Sequence, residues 1–229
     1  MGKVAIVKFP GTNCDWDVLH AVKTVSKLQS EVVWYKEFQP NGWDAIIIPG
    51  GFSYGDWLRA GAIAAKTTAA EKIAESVEKG TPVLGICNGF QILTEGGVLP
   101  GALAPNACGR FVCRWVKLRV HKPKGPWLAL VNDGAELHMP VAHAEGRYVI
   151  SEEGFKELVS TSSIIKYVSG WNPNGSAYDV AGVTNPEGTA LGLMPHPERA
   201  AEDELTPRGF RAGGRVIFES IAHSLKKGW

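Results

Sequence analysis

Short apolar runs alternate with helical patterns along the first part of the chain. The runs predict buried strands at residues 4–9, 31–35, 45–48 and 82–86. Apolar positions at helical spacing predict helices over about residues 15–28, over residues 69–79, and from residue 88 to about residue 96. Asn13 or Asp15 is the expected cap of the first helix, and Gly80 the expected stop of the second. Alternating strands and helices predict a parallel sheet with right-handed crossovers.

The pattern changes after residue 110. Residues 111–120 alternate apolar and basic side chains, which predicts a strand with one face open to water. Further short strands are expected at residues 149–150, 164–168, 179–184 and 190–194. Ser151 is expected to cap a short helix that runs through Leu158, and a last helix is expected over residues 214–226. The interpretation is a single-domain α/β fold over residues 1–229, with three α/β/α layers, a mostly parallel central sheet and an added antiparallel strand region.

Composition narrows the class of protein. The 229 residues are 45% hydrophobic and 21% charged, which is typical of a soluble globular protein. A net charge of +1 is too small to attract nucleic acid or an anionic membrane strongly. Four cysteines in a chain of this length do not suggest a disulfide framework, and no segment is long enough to span a membrane. A cytoplasmic location is expected.

Cys87 is the first candidate catalytic residue. It lies in the stretch GICNGFQ (residues 85–91), where a predicted strand turns sharply into a predicted helix. Flanking glycines allow such a turn to close, and N–H groups at a helix start favour a thiolate. A buried, inert cysteine in an ordinary loop is the alternative interpretation.

His196 and Glu198 form the second candidate group, within MPHPER (residues 194–199) after an apolar run. Proline should keep His196 and Pro197 extended, which would place His196 and Glu198 side by side. A carboxylate raises the basicity of an imidazole, and the imidazole can then exchange a proton with a thiol. The alternative is a turn with an incidental histidine.

The third candidate for a functional role is a glycine-rich loop, PGGFSYGD (residues 49–56). Acyl transfer requires N–H groups aimed at the developing oxyanion, and the backbone N–H groups of Gly51 and Asn88 are the candidates for this oxyanion hole. A plain turn would explain the glycines equally well.

These three motifs together resemble those of class I (triad-type) glutamine amidotransferases. FPGTNCD (residues 9–15) and AHAEGR (residues 142–147) extend the resemblance over nearly the whole chain, in the family's order. The resemblance implies that Cys87 is the nucleophile, His196 the general acid/base and Glu198 its partner.

The resemblance also implies binding roles and partners. Gln91, His143 and Glu145 are expected to contact or border the glutamine substrate, although a structural role explains His143 equally well. The chain is expected to hydrolyse L-glutamine and pass ammonia to a larger synthetase subunit. That subunit would carry ATP and Mg²⁺ and convert formylglycinamide ribonucleotide to its amidine in purine biosynthesis. A small bridging protein is expected as well.

Other interpretations remain open. A cysteine hydrolase or stress-type protein of related fold also carries its cysteine on such a turn, and a non-catalytic regulatory subunit could retain the motifs. Cys14 is given no chemical role. Cys108 and Cys113 lack a second ligand pair at zinc spacing, so no metal site is predicted.

Overall fold

The computed structural model describes residues 2–229. Its strands are β1 Lys3–Lys8, β2 Gln29–Trp34, β3 Ala45–Ile48, β4 Val83–Ile86, β5 Ala102–Ala104, β6 Val112–His121, β7 Glu136–His143, β8 Arg147–Val149, β9 Ile164–Tyr167, β10 Val180–Thr184 and β11 Ala190–Leu193. Its α-helices are α1 Asp15–Ala21, α2 Thr68–Glu78, α3 Asn88–Glu95, α4 Glu152–Thr161 and α5 Arg215–Lys227.

Nine strands form one sheet in the order β2-β1-β3-β4-β11-β10-β9-β6-β7. The strands from β2 to β11 pair in parallel, and those from β11 to β7 pair antiparallel. Strands β3, β4 and β11 are buried along their whole length, which explains why their sequences are apolar without alternation. β5 and β8 form a separate antiparallel pair. The predicted α/β fold with a mostly parallel sheet and an antiparallel extension is confirmed.

Helices cover the parallel part of the sheet. α1 packs on β1 and β2, and α5 packs on the turn that follows α1. α2 and α3 contact each other and β4. Within residues 2–229, no helix is both long and apolar enough to cross a membrane.

The predicted first helix is present, but its last part is not α-helical, and its predicted cap was wrong. α1 ends at Ala21 and continues as a π-helical turn, Val22–Ser26, which Lys27 ends with a φ of 54°. Neither Asn13 nor Asp15 caps the helix. The cap position is taken by Cys14, whose side chain makes no capping hydrogen bond. The Asp15 carboxylate instead accepts a hydrogen bond from the Lys8 ammonium at 2.7 Å. The expected cap of α4 is confirmed, since the hydroxyl of Ser151 accepts from the N–H of Gly154 at 3.1 Å.

Two strands were missed. β5 has only three residues. β7 is an edge strand that contains Pro140, a residue that argues against a strand in sequence but is tolerated at a sheet edge. Missing β7 matters because its last residues run beside the candidate site.

Candidate active site

Cys87 lies where β4 turns into α3. Its backbone has φ 51° and ψ −103°, a conformation that non-glycine residues rarely adopt and that the surrounding structure must hold in place. The Cys87 N–H donates to the carbonyl of Leu193 on neighbouring β11 at 2.8 Å. α3 also passes very close to β3, because a Cβ on Gly89 would lie 2.0 Å from the carbonyl oxygen of Ile48. The turn therefore holds the sulfur at the carboxyl end of the parallel strands and at a helix N-terminus.

The sulfur of Cys87 borders a small cavity of about 230 Å³. The residue is only 4% exposed, and its Sγ lies 3.7 Å from the carbonyl oxygen of Ala142 on β7. The cavity is lined by residues from six parts of the chain: Asn13, Cys14, Gly51, Phe52, Cys87, Phe111, Cys113, Ala142, His196 and Arg199. Cys87, His196 and Gly51, one of the two oxyanion-hole candidates predicted from sequence, thus meet around one cavity, and the other candidate, Asn88, is not among its lining residues.

His196 and Glu198 are in contact, as the sequence predicted, but for a different reason. The Nδ1 of His196 lies 2.7 Å from the Oε1 of Glu198, and both side chains are buried. Pro197 is not extended: it has φ −67° and ψ −30° and leads into a 3-10 turn, Glu198–Ala200. Proline fixes φ at a value that suits a helical turn as well as an extended chain, and here the turn brings the carboxylate back to the ring.

Charge outweighs burial at His196. Burial lowers its pKa, but the carboxylate of Glu198 and the neighbouring thiols of Cys87 and Cys14 raise the pKa well above its ordinary value. The Nε2 of His196 has no hydrogen-bond partner within residues 2–229. A cationic ring with a free Nε2 can stabilise a thiolate and later donate a proton.

Gly51 presents backbone to the same cavity. It forms an antiparallel bridge with Thr12 at a φ of 155°. A Cβ there would lie 2.7 Å from both the carbonyl oxygen of Gly11 and the Cα of Thr12, so the close approach requires glycine. The N–H of Asn88 is the first of α3 and has no partner inside the helix. The two candidate N–H groups therefore come from the glycine loop that lines the cavity and from the helix start next to Cys87 in the chain.

Gln91 and Glu145 are not among the lining residues of the cavity in the described structure. The Gln91 Nε2 donates to the backbone carbonyl of Glu145 at 2.5 Å, and the Gln91 Oε1 accepts from the Asn88 Nδ2 at 2.9 Å. The Glu145 carboxylate accepts from the N–H of Ala60 at 3.1 Å. Both residues connect loops around the site, and contact with substrate stays a prediction for them.

His143 is buried in a different setting. Its Nδ1 lies 3.0 Å from the Oδ1 of Asn106, and its Nε2 lies 3.4 Å from the Nδ2 of Asn174. Burial, with a further effect from the charge of His196, lowers the pKa of His143 to about 4. A neutral ring that donates from Nδ1 and accepts at Nε2 satisfies both asparagines. Its two nitrogens are thereby engaged in holding the loop after β7.

Sequence reasoning missed Cys14 and Arg199. Cys14 is buried in the cavity wall, and its Sγ accepts a hydrogen bond from the Arg199 Nη2 at 3.1 Å. Cys14, His196 and Glu198 place potential ligand atoms within 4.8 Å of one another, a spacing that would suit a metal ion. The cationic guanidinium that donates to Cys14 would repel a metal ion, and the Nδ1 of His196 already contacts the Oε1 of Glu198 at 2.7 Å. The trio therefore fits an ion-paired histidine better than a metal centre.

Known proteins match along nearly the whole chain. The family model of the CobB/CobQ-like glutamine amidotransferase domain matches residues 1–212. The phosphoribosylformylglycinamidine synthase subunit PurQ of Pyrococcus horikoshii is 47% identical over 229 residues, which cover 99% of this chain and 100% of the relative. The corresponding subunit of Pyrobaculum aerophilum is 48% identical over 225 residues, covering 98% and 100% of the two chains.

A solved structure is similar as well. One chain of the structure of PurLQS from Thermotoga maritima superimposes with a TM-score of 0.85 and is 39% identical. The match covers 98% of this chain and 99% of that one. The similarity thus extends over both the parallel and the antiparallel strands.

Proposed function

Because this chain belongs to the PurQ family of glutamine amidotransferase subunits, we propose that it hydrolyses L-glutamine to glutamate and ammonia through a thioester on Cys87. One observation carries the proposal: a cysteine in a strained turn at a helix N-terminus shares a 230 Å³ cavity with a buried, ion-paired histidine. Residues 1–229 act as one glutamine amidotransferase domain in this proposal.

The first step is attack by sulfur. The Cys87 thiolate, stabilised by His196 and by the N-terminus of α3, attacks the side-chain amide carbon of glutamine. The carbonyl oxygen becomes an oxyanion, which accepts hydrogen bonds from the N–H groups of Gly51 and Asn88. Glu198 holds the His196 ring through Nδ1, so that Nε2 faces the reacting atoms.

Proton transfers by His196 complete the reaction. The imidazolium gives its proton to the departing nitrogen, ammonia leaves, and a γ-glutamyl thioester remains on Cys87. The neutral ring then takes a proton from water as the water attacks the thioester. Collapse of the second tetrahedral intermediate releases glutamate and restores the thiolate and the imidazolium.

Delivery of ammonia requires a partner. The relatives are subunits of phosphoribosylformylglycinamidine synthase, and we assign this chain the same place in purine biosynthesis. A larger synthetase subunit would bind ATP, Mg²⁺ and formylglycinamide ribonucleotide, with a small bridging subunit beside it, in the cytoplasm. Glutaminase activity is then expected to be weak in the isolated chain and to rise when the synthetase binds.

The experiment compares two cysteine variants in the reconstituted complex. Cys87→Ser should reduce glutamine hydrolysis by at least about 10³-fold, since serine is a poor nucleophile without a dedicated base. Cys113→Ser changes a cavity-lining cysteine that the mechanism does not use, and should leave hydrolysis near the unmodified level. Substantial hydrolysis by Cys87→Ser would refute the proposal.

Labelling separates the other candidate functions. A glutamine-like electrophile should modify Cys87 in an amidotransferase. A cysteine hydrolase of related fold would react with general electrophiles without preference for the glutamine analogue. A non-catalytic regulatory subunit would bind the synthetase and show no hydrolysis even in the complex.

A further inference from the structure

The side chain of Asn88 connects the two segments that carry the proposed oxyanion hole. Asn88 is 1% exposed, and its Oδ1 accepts from the N–H of Ser53 at 3.2 Å. Ser53 comes two residues after Gly51, in the same loop. The side-chain amide of Asn88, whose backbone N–H is one half of the proposed oxyanion hole, therefore binds the loop that contains Gly51, whose N–H is the other half.

A second amide continues this connection. The Asn88 Nδ2 donates to the Gln91 Oε1 at 2.9 Å, and the Gln91 Nε2 donates to the Glu145 carbonyl at 2.5 Å. The Glu145 carboxylate then accepts from the N–H of Ala60. The loop between Ser53 and Ala60 is thus held at both of its ends by side chains anchored on α3 and after β7.

This loop requires such support. Tyr54, Asp56 and Leu58 all have positive φ values, between 54° and 69°, which non-glycine residues rarely adopt. A loop with three such residues stays in place only when its surroundings fix it. The hydrogen bonds also fix the orientation of the Gln91 amide. If the amide were flipped, its oxygen would face the carbonyl oxygen of Glu145.

We propose that Asn88 is a positioning residue whose side-chain amide sets the spacing between the N–H groups of Gly51 and Asn88. The proposal rests on the proposed glutaminase function. Removing the side chain leaves both backbone N–H groups chemically intact. Any loss of rate must then come from their placement relative to the developing oxyanion, which a shift of about 1 Å can make costly.

The test uses the full chain with its synthetase partner and the variant Asn88→Ala. We expect kcat to fall about 10- to 100-fold while KM changes less than about threefold, because the hole acts in the transition state. A matched control is Asn185→Ala: this buried amide also accepts from a backbone N–H, that of Ala190 at 2.9 Å, and donates to the side chain of Glu187. It lies at the opposite end of β11, and its removal should leave kcat unchanged.

Two Cys87 reagents distinguish positioning from general damage. The γ-aldehyde analogue of glutamine forms a tetrahedral adduct whose oxygen needs the hole, so its affinity should fall by the same factor as kcat. Iodoacetamide alkylates the sulfur without forming an oxyanion, so its rate should stay within about twofold. An unchanged kcat, or alkylation and KM that worsen in parallel with kcat, would overturn the proposal.

A second variant covers the case in which Asn88→Ala does not fold. Asn88→Asp keeps an acceptor for the Ser53 N–H, but it sets a carboxylate oxygen against the Gln91 Oε1 and a negative charge near the developing oxyanion, so a fall in kcat and aldehyde affinity at least as large as in Asn88→Ala is expected. Equal kcat for Asn88→Asp and the unmodified chain would refute the connection through Gln91. Cys87→Ser, measured in the same series, reports on the glutaminase function separately.

Discussion

Two buried histidines close to the same cavity respond to their surroundings in opposite ways. His196 and His143 are 1% and 2% exposed, and burial alone would lower the pKa of each. The carboxylate of Glu198 reverses this effect at His196, whereas the neutral amides of Asn106 and Asn174 leave it in place at His143. Partner charge, and not burial, decides which ring can carry a proton through a reaction.

Matched substitutions by asparagine should show this difference most strongly. Asparagine can keep a donor near the position of Nδ1 while it removes Nε2. His196→Asn should lower kcat for glutamine hydrolysis by about 10³- to 10⁴-fold, because the free Nε2 is lost. His143→Asn should lower kcat far less, since the His143 ring holds the loop after β7 in place. Equal losses in the two variants would contradict distinct roles for the two rings.

Glu198→Gln should make the surroundings of His196 resemble those of His143. With burial kept and the charge removed, the pKa of His196 should fall, and kcat should fall by about 10²- to 10³-fold. The rate of Cys87 alkylation at neutral pH should fall too, because less imidazolium stabilises the thiolate. Glu136→Gln is the control: its carboxylate also contacts a histidine two residues away, His138, at 3.1 Å. If the two variants behave alike, the proposed role of Glu198 is wrong.

Stability should depend on pH with opposite signs at the two histidines. The pKa of His143 is lowered from 6.5 to about 4, so its contribution is complete above pH 6.5 and is lost as the pH falls toward 4. That difference corresponds to about 3 kcal/mol. The raised pKa of His196 has the reverse effect, since its contribution is complete below pH 6.5 and is lost as the pH rises through its folded pKa.

Urea unfolding between pH 7 and pH 4 measures the His143 contribution. His143→Asn should be less stable than the unmodified chain at pH 7, and the two should converge toward pH 4. A difference that stays constant over this range would mean that His143 does not titrate as proposed.

Asn174→Asp should convert the neutral partner of His143 into a carboxylate. The new charge facing Nε2 should raise the pKa of His143 by about 1 to 3. The ring-carbon resonances followed by NMR against pH would measure the shift. Glutamine hydrolysis should change far less than in Glu198→Gln, because both nitrogens of the His143 ring are engaged by asparagine side chains. A loss as large as that of Glu198→Gln would give His143 a direct role.

Local patterns in the sequence predict much of the fold. The parallel strands were predictable because they are buried on both faces and their apolar runs are uninterrupted, as in β3 and β4. β7 was missed because an edge strand admits Pro140 and other residues that argue against a strand. The early end of α1 was missed because a π-helical turn continues the apolar spacing beyond Ala21.

Contacts between distant segments explain the rest of the site. His196 and Glu198 are two residues apart, so their pairing was predictable even though Pro197 adopts a turn. Cys14 and Arg199 are separated by 185 positions, and no local signal brings them together. The amide connection through Asn88 and Gln91 likewise depends on how α3 and two loops distant in the chain are placed.

In the proposed reaction the γ-glutamyl group of glutamine becomes covalently attached to Cys87. The reconstituted complex can be quenched in acid during turnover and its peptides analysed by mass spectrometry. A γ-glutamyl thioester is expected on the peptide containing Cys87, with Cys14, Cys108 and Cys113 unmodified. Ammonia release accompanied by an adduct on Cys14, and none on Cys87, would contradict the account.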